Sequence, residues 1–283
     1  MQFLTAETLN IENLIFKLKN VEGKYQTKIV DKNTGYPPII KTPWQILPFA
    51  PSSFAKSKGA TENLTDWTIT AKASCYQTLE LNNIEYDYDK NKEEIKTLFK
   101  KLEDLYEKAI DFAHENSLKF FKKELKREII EQADYVTKII KKSNKKDNDG
   151  NLYPDTITTK IMKNVKDESV PDIVIEDLEG NSIPIESWAD IENKVSTIVT
   201  PGTPARLIIQ LRTYLVNNKF GFSVKLCAIQ IDNKKKNSMS SVISFKEPAP
   251  QKSLVKKEDV TKLKDNETHD SEEDSEVEVD ENC

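Results

Sequence analysis

Chemistry in this chain has to come from lysine, arginine and aromatic rings, because the usual catalytic side chains are scarce or badly spaced. Among 283 residues there are two histidines and three cysteines. His114 stands between Ala113 and Glu115 with no neighbour at ligand spacing, and His269 lies in an acidic terminal stretch. Cys75, Cys227 and Cys283 are too far apart for a zinc knuckle or a disulfide framework. Cys75 and Cys227 read as small core residues. Seven glycines leave little material for a phosphate-cradling loop, and neither GxxxxGK(S/T) nor GxGxxG occurs. HExxH, CxxC and GxSxG are also missing from the sequence. No cofactor, no metal and no catalysed reaction are expected.

What the chain does have is cations interleaved with rings. Single-stranded nucleic acid needs that pairing: a cation for each phosphate and a ring face for each unstacked base. Five lysines (Lys138, Lys141, Lys142, Lys145 and Lys146) fall within residues 138–146 with no acid among them. Tyr153 follows, then Lys160 and Lys163. Arg206, Arg212 and Tyr214 share the less apolar face of a long strand pattern, where an otherwise apolar strand has no packing use for two arginines. Trp44 and Phe49 sit in a proline-rich segment where partial exposure is expected. Trp67, in phase with Ile69, reads as core. Each base taken alone is better described as a solvated surface charge.

The elements that must position these residues are strand-rich with one helical insert. Residues 14–19 alternate apolar and polar, and residues 25–31 would be their partner. Residues 36–51 hold five prolines and predict an extended, sheet-edge course. Residues 67–73 alternate again. From 91 to 132 no glycine or proline occurs, and Ile95, Leu98, Phe99, Leu102, Leu105, Tyr106, Ala109, Phe112 and Ala113 recur at helical spacing. Asn116-Ser117 is the expected break. A strand at 135–141, a turn at 145–151 and a returning strand at 156–162 come next. A short hairpin at 173–185 and a short helix near 188–193 follow. The clearest hairpin is 205–216 with 220–231, and its apolar phase slips after Leu226, which predicts a bulge. The sum is an α+β, mainly β domain on an antiparallel sheet or small barrel. No stretch is long and apolar enough to span a membrane, and residues 1–14 lack the pattern of a secretory signal, so an intracellular protein is expected.

The net charge of -5 hides two opposite blocks. Residues 265–283 contain ten acids and no lysine or arginine; taking those ten from 47 acids leaves 37 against 42 bases, so residues 1–264 carry about +5. From residue 246 on, aromatic residues vanish and apolar ones are isolated, so burial cannot offset chain entropy. The expected organisation is a domain over 1–245, with the helical insertion at about 91–132, and a disordered linker and acidic tail over 246–283. A basic body with an acidic tail suits a protein that meets polyanions. It equally suits an interaction or chaperone-like protein whose tail binds basic partners. Nothing here separates single-stranded DNA from single-stranded RNA.

Thr42-Pro43-Trp44-Gln45-Ile46-Leu47-Pro48-Phe49, Asp149-Gly150-Asn151-Leu152-Tyr153-Pro154, and residues 205–211 leading into Lys219-Phe220-Gly221-Phe222-Ser223-Val224-Lys225 resemble the single-stranded-DNA-binding proteins of nucleocytoplasmic large DNA viruses. Those are similar to the T-odd phage single-stranded-DNA-binding protein. The resemblance implies an OB-fold-like antiparallel barrel with an acidic C-terminal tail. It implies a protein that coats single strands without sequence specificity in viral genome replication, recombination and repair, at a virus factory in the host cytoplasm or in the nucleus. It adds Lys219 and Lys225 to the DNA-contacting set. Polymerase or helicase–primase would be partners through the tail, with no membrane partner, and homo-oligomerisation is left open. The phage protein ends in an aromatic residue whereas this chain ends Glu281-Asn282-Cys283, so a docking role of a terminal ring does not carry over.

Overall fold

The computed structural model describes residues 3–62, 64–75 and 86–232. The expected linker, the acidic tail and the boundary near residue 245 lie outside the described residues. The chain starts with a hairpin, β1 (Leu14–Val21) against β2 (Lys24–Asp31), in register from Leu14↔Asp31 to Val21↔Lys24. Glu22 and Gly23 both take positive φ (50° and 79°), the two-residue turn whose twist matches antiparallel strands.

Five strands then close a ring: β4 (Gln45–Leu47), β6 (Trp67–Lys72), β9 (Thr156–Ile161), β11 (Thr203–Val216) and β12 (Lys219–Ile231). Antiparallel pairs join β4 to β6, β6 to β9, β11 to β12 and β11 to β4. One parallel contact, Lys225↔Lys160 and Leu226↔Ile161, closes β12 onto β9. The fold is thus an α+β, OB-fold-like barrel. A parallel closure is available because the chain between β9 and β12 is long enough for a crossover. β3 (Ile39–Lys41) and β5 (Ser52–Ser53) extend the edges, as the prolines around them require.

Along β11 and β12 side chains alternate between core and outside, and the long strands meet at Asn217 and Asn218, both left-handed (φ 51° and 57°). The register slips at Ile208/Ile209, where Ala228 and Leu226 face consecutive residues of β11. Cys227 is the extra residue, at the place where the apolar phase shifts. It is half-buried, as is Cys75.

The helical insertion runs between β6 and β9. α2 (Tyr88–Glu115) is capped by Asp87, whose carboxylate accepts from the Lys90 amide at 2.9 Å. It buries Ile95, Leu98, Leu102, Leu105 and Ala109 on one stripe. It ends at Asn116 as expected, and α3 (Ser117–Phe121) and α4 (Arg127–Gln132) follow. Phe112 of α2 stacks on Phe16 of β1 (centroids 5.1 Å apart), and Phe120 of α3 packs on Phe220 of β12 at 5.2 Å. These rings weld the hairpin and the insertion to the barrel.

Two expectations change. The strand expected at 135–141 is split into β7 (Val136–Thr137), parallel to β12, and β8 (Ile140–Lys141), antiparallel to β9, because the chain changes partner between them. The hairpin expected at 173–185 forms only around its turn, where the Asp177 amide donates to the Asn181 carbonyl at 3.1 Å and the Ile183 amide to the Ile175 carbonyl at 2.8 Å. β10 (Val174–Glu176) pairs in parallel with β12, and a single bridge, Glu176↔Ser182, joins it to the returning chain. Asp177 folds that chain into a turn by accepting from the Glu179 and Asn181 amides, and Pro184 supplies no N–H to a ladder. The short helix near 188–193 forms as a capped turn, α5 (Trp188–Asp190), continuing through a wider turn to Ile198.

Candidate functional site

The outward face of β6 and β9 is short-chained and cationic. Residues pointing outward pair as Thr68↔Lys160, Thr70↔Thr158 and Lys72↔Thr156. Thr70 and Thr158 hydroxyls meet at 3.2 Å, leaving a smooth shelf with a lysine at each end. Inward positions are Trp67, Ile69, Ala71, Ile157 and Ile161, all buried in the core. The outward row continues onto β12 and β11 as Lys225↔Gln210, and Arg212 donates to Gln210 at 2.8 Å, lying along the same row.

At the Lys72 end lies a cleft of about 720 Å³. Phe49 and Tyr153 line it and are 61% and 52% exposed, which makes their ring faces usable rather than spent on the core. Lys72, Lys141, Lys142 and Lys145 surround them, and no acidic side chain is among the lining residues. Local sequence explains how these groups meet. Pro48 and Pro51 hold Phe49 in an extended segment that cannot bury it. Asp147 ties its loop by accepting from the amides of Asp149 (3.0 Å) and Asn151 (2.8 Å), and Gly150 supplies the left-handed corner at φ 83°. The Tyr153 amide then donates to the Lys145 carbonyl at 3.0 Å, bringing ring and ammonium to the same rim.

The lysines differ in availability. Lys142 bonds Glu103 and also pairs with Asp155 at 3.3 Å, and the bond to Glu103 pushes its pKa up. Lys72, Lys141 and Lys145 form no ion pair among the described residues.

The structure brings together Phe49, Tyr153, Lys141, Lys142 and Lys145, with Lys160 and Arg212 along the shelf. It does not bring in the others. Trp44 is 5% exposed, not partly exposed as expected, because its backbone is clamped by Asn91 of α2 and its ring is covered by Arg206, whose guanidinium carbon lies 5.0 Å from the ring centre. Arg206 also donates to Gln230 at 2.8 Å, and burial pushes its pKa down. Six residues of strand separate it from Arg212, about 20 Å, so the two arginines of this face do not line one cleft. Tyr214 bonds the Thr137 hydroxyl at 2.6 Å, close to Gly221, where an added Cβ would meet Thr137 Cβ at 2.6 Å. Lys225 is on the outward row, but its side chain is 12% exposed and its ammonium is paired with Asp172, so it is spent. Lys138 lies 5.7 Å over the Tyr106 ring beside the helical insertion, away from the cleft. Lys146 is exposed in the loop, in a bridge with Leu152, and Lys219 is exposed in the β11–β12 turn.

Two residues of this surface escaped the sequence reading. Lys72 is one; its signal was present, because it shares the outward parity of Thr68 and Thr70. Phe54 is the other. It opens the four-residue helix α1 (Phe54–Ser57) beside the Thr68 end of the shelf, where Ser52 pairs with Thr68, and its ring is 71% exposed with Lys58 5.5 Å above it. An apolar ring after two serines carries no periodic signal.

No family model matches this chain, and no curated protein does. Solved structures do. The single-stranded DNA-binding protein from bacteriophage Enc34 matches at 13% identity and TM-score 0.37, over 77% of this chain and 90% of that one. The same protein in complex with ssDNA matches at 12% and 0.37, over 78% and 96%. The bacteriophage T7 protein gp2.5, a single-stranded DNA binding protein, matches at 14% and 0.35, over 69% and 91%. These are phage proteins, not members of the large-DNA-virus family. Likeness at these scores carries no weight for function.

Proposed function

We propose that this protein binds single-stranded DNA without sequence preference and catalyses no reaction on it. One observation carries the reading: two exposed rings and three lysines without ion pairs share one acid-free cleft at the end of an open barrel shelf. Rings offer stacking to any base, and lysines offer charge to any phosphate. β6 and β9 are the second and third strands of the five-stranded ring in chain order, and that face with its neighbouring loops is where five-stranded barrels of this kind take oligonucleotides. The shelf from Thr68 to Lys72 spans about 14 Å at 3.4 Å per residue. The strand would run along it from Phe54, past Lys160 and the threonines, to Phe49 and Tyr153. In the cell the protein would coat exposed strands during viral genome replication, recombination and repair, and its acidic tail would recruit basic replication proteins.

A salt-dependent titration of oligo(dT), with a duplex of equal length as control, tests this. Preference for the single strand, weakening as salt rises, is the expected result. Equal affinity for the duplex, or no binding at low salt, overturns it. Oligo(U) in parallel reports whether ribose is tolerated.

A further inference from the structure

A second pocket, of about 420 Å³, opens where β3, β11 and the start of α2 meet. Lys41 and Arg206 both line it. Lys41 faces Ile208 across the β3–β11 pair, which makes Arg206 its diagonal neighbour, about 7–8 Å away along the backbone. Neither side chain has an ion pair among the described residues. Arg206 spends one of its donors on Gln230 and one face on Trp44. The rest of its donors, and the Lys41 ammonium, are unspent. Other polar groups here are already used: Asn91 on the Trp44 backbone, and the Thr42 hydroxyl on the Pro43 carbonyl and the Leu207 amide.

Two half-buried cations side by side repel each other, and desolvation adds to the cost of each charge. Burial, with Arg206 next to it, pushes the Lys41 pKa down. An anion between them would relieve both costs, and an arginine beside a lysine suits a phosphate oxygen set. The carboxylates of the pocket are placed differently. Glu7 and Asp87 are exposed and Asp87 caps α2; Glu94 is half-buried, stands 3.9 Å from Lys90 and partly offsets the Arg206 charge without forming an ion pair with it. A phosphodiester chain crossing the pocket would pass the exposed Glu7 and Asp87, whereas a terminal phosphate placed between Lys41 and Arg206 offers its larger charge directly to the two cations.

We infer that this pocket binds a terminal phosphate monoester, held between Lys41 and Arg206, as a second site separate from the shelf. The ester would come either from a free mononucleotide or from the phosphorylated end of a strand. The inference does not depend on the shelf binding DNA.

The test uses the full chain. Its lysines are acetylated with limiting acetic anhydride, and Lys41 modification is read by mass spectrometry with dTMP, thymidine, or short oligo(dT) with and without a 5′-phosphate. To weaken shelf binding, the oligonucleotide arms use Lys72→Ala/Lys141→Ala/Lys145→Ala. dTMP or the 5′-phosphorylated oligonucleotide should protect Lys41 at least tenfold better than the matching molecule without the terminal phosphate. Protection by dTMP identifies a free nucleotide as ligand, and protection only by the phosphorylated oligonucleotide identifies a strand end. Equal protection with and without the phosphate, or none, overturns the site. Lys41→Met should weaken binding of whichever phosphorylated ligand protects, dTMP or the 5′-phosphorylated oligonucleotide, at least tenfold by calorimetry while Lys41→Arg retains it; unchanged affinity for that ligand in a folded Lys41→Met also overturns the site.

Discussion

Lys141 and Lys142 are adjacent lysines that should behave differently. Lys141 has no ion-pair partner among the described residues and lines the cleft beside Phe49 and Tyr153. Lys142 lines the same cleft with its charge already answered by Glu103 and Asp155. On a single strand each neutralised phosphate adds about 0.7 to the slope of log affinity against log salt. Lys141→Ala should therefore lower the slope by about 0.7, and Lys72→Ala/Lys141→Ala/Lys145→Ala by about 2. Between 50 and 200 mM salt the wild-type protein should then lose about 20-fold more affinity than the triple variant. Lys142→Ala releases no counterion on binding and should leave the slope in place, although it frees two carboxylates near the cleft and lowers affinity at every salt. The assay is fluorescence anisotropy of labelled oligo(dT) over that range, with a thermal melt to show that each variant is folded. The reasoning is refuted if Lys142→Ala flattens the slope as much as Lys141→Ala, or if the triple variant keeps the wild-type slope.

Phe49→Ala and Tyr153→Ala should each weaken oligo(dT) binding by about 1–3 kcal/mol with an unchanged melting temperature, since both rings are exposed; the reverse pattern would make them packing residues. Phe54→Ala should follow them, and a binding isotherm like wild type would end the strand path before the Thr68 end. Tyr214→Phe removes the bond to Thr137 and should lower stability by about 0.5–1.5 kcal/mol in denaturant unfolding without changing affinity; lost affinity in a protein of unchanged stability would restore Tyr214 to the site. Deleting residues 265–283 removes ten acids and should raise DNA affinity most at low salt, where charge interactions are least screened. The free tail peptide should inhibit the truncated protein in trans, and unchanged affinity at low salt would assign the tail to partners alone.

Period was legible wherever burial is one-sided. The α2 stripe and the alternation of β11 and β12 follow from it, and so does the slip at Cys227, because an extra residue must put two neighbours on one face. Partner choice was not legible. A two-residue strand such as β7 or β8 has too few side chains to impose a phase, and its partner is set by the barrel closing. The same limit decided the site. Phe49 and Tyr153, Lys141 and Lys145 were readable as types, but their meeting depends on β6 joining β4 to β9, which no local pattern encodes. Arg206 shows where reasoning by type stops short. A base on an apolar strand does signal a special neighbour, and that neighbour was taken to be DNA. β3 and β4 instead lay Trp44 across β11, so the guanidinium found its aromatic face inside the protein. Lys72 is the opposite case. Outward parity with Thr68 and Thr70 was visible, and a lysine on a threonine shelf costs little to leave in water, so nothing in the strand competes for its charge. A cation that folding has not spent is the better candidate for a ligand, and the carboxylate partners that decide this for Lys142 and Lys225 come from elements distant in the sequence.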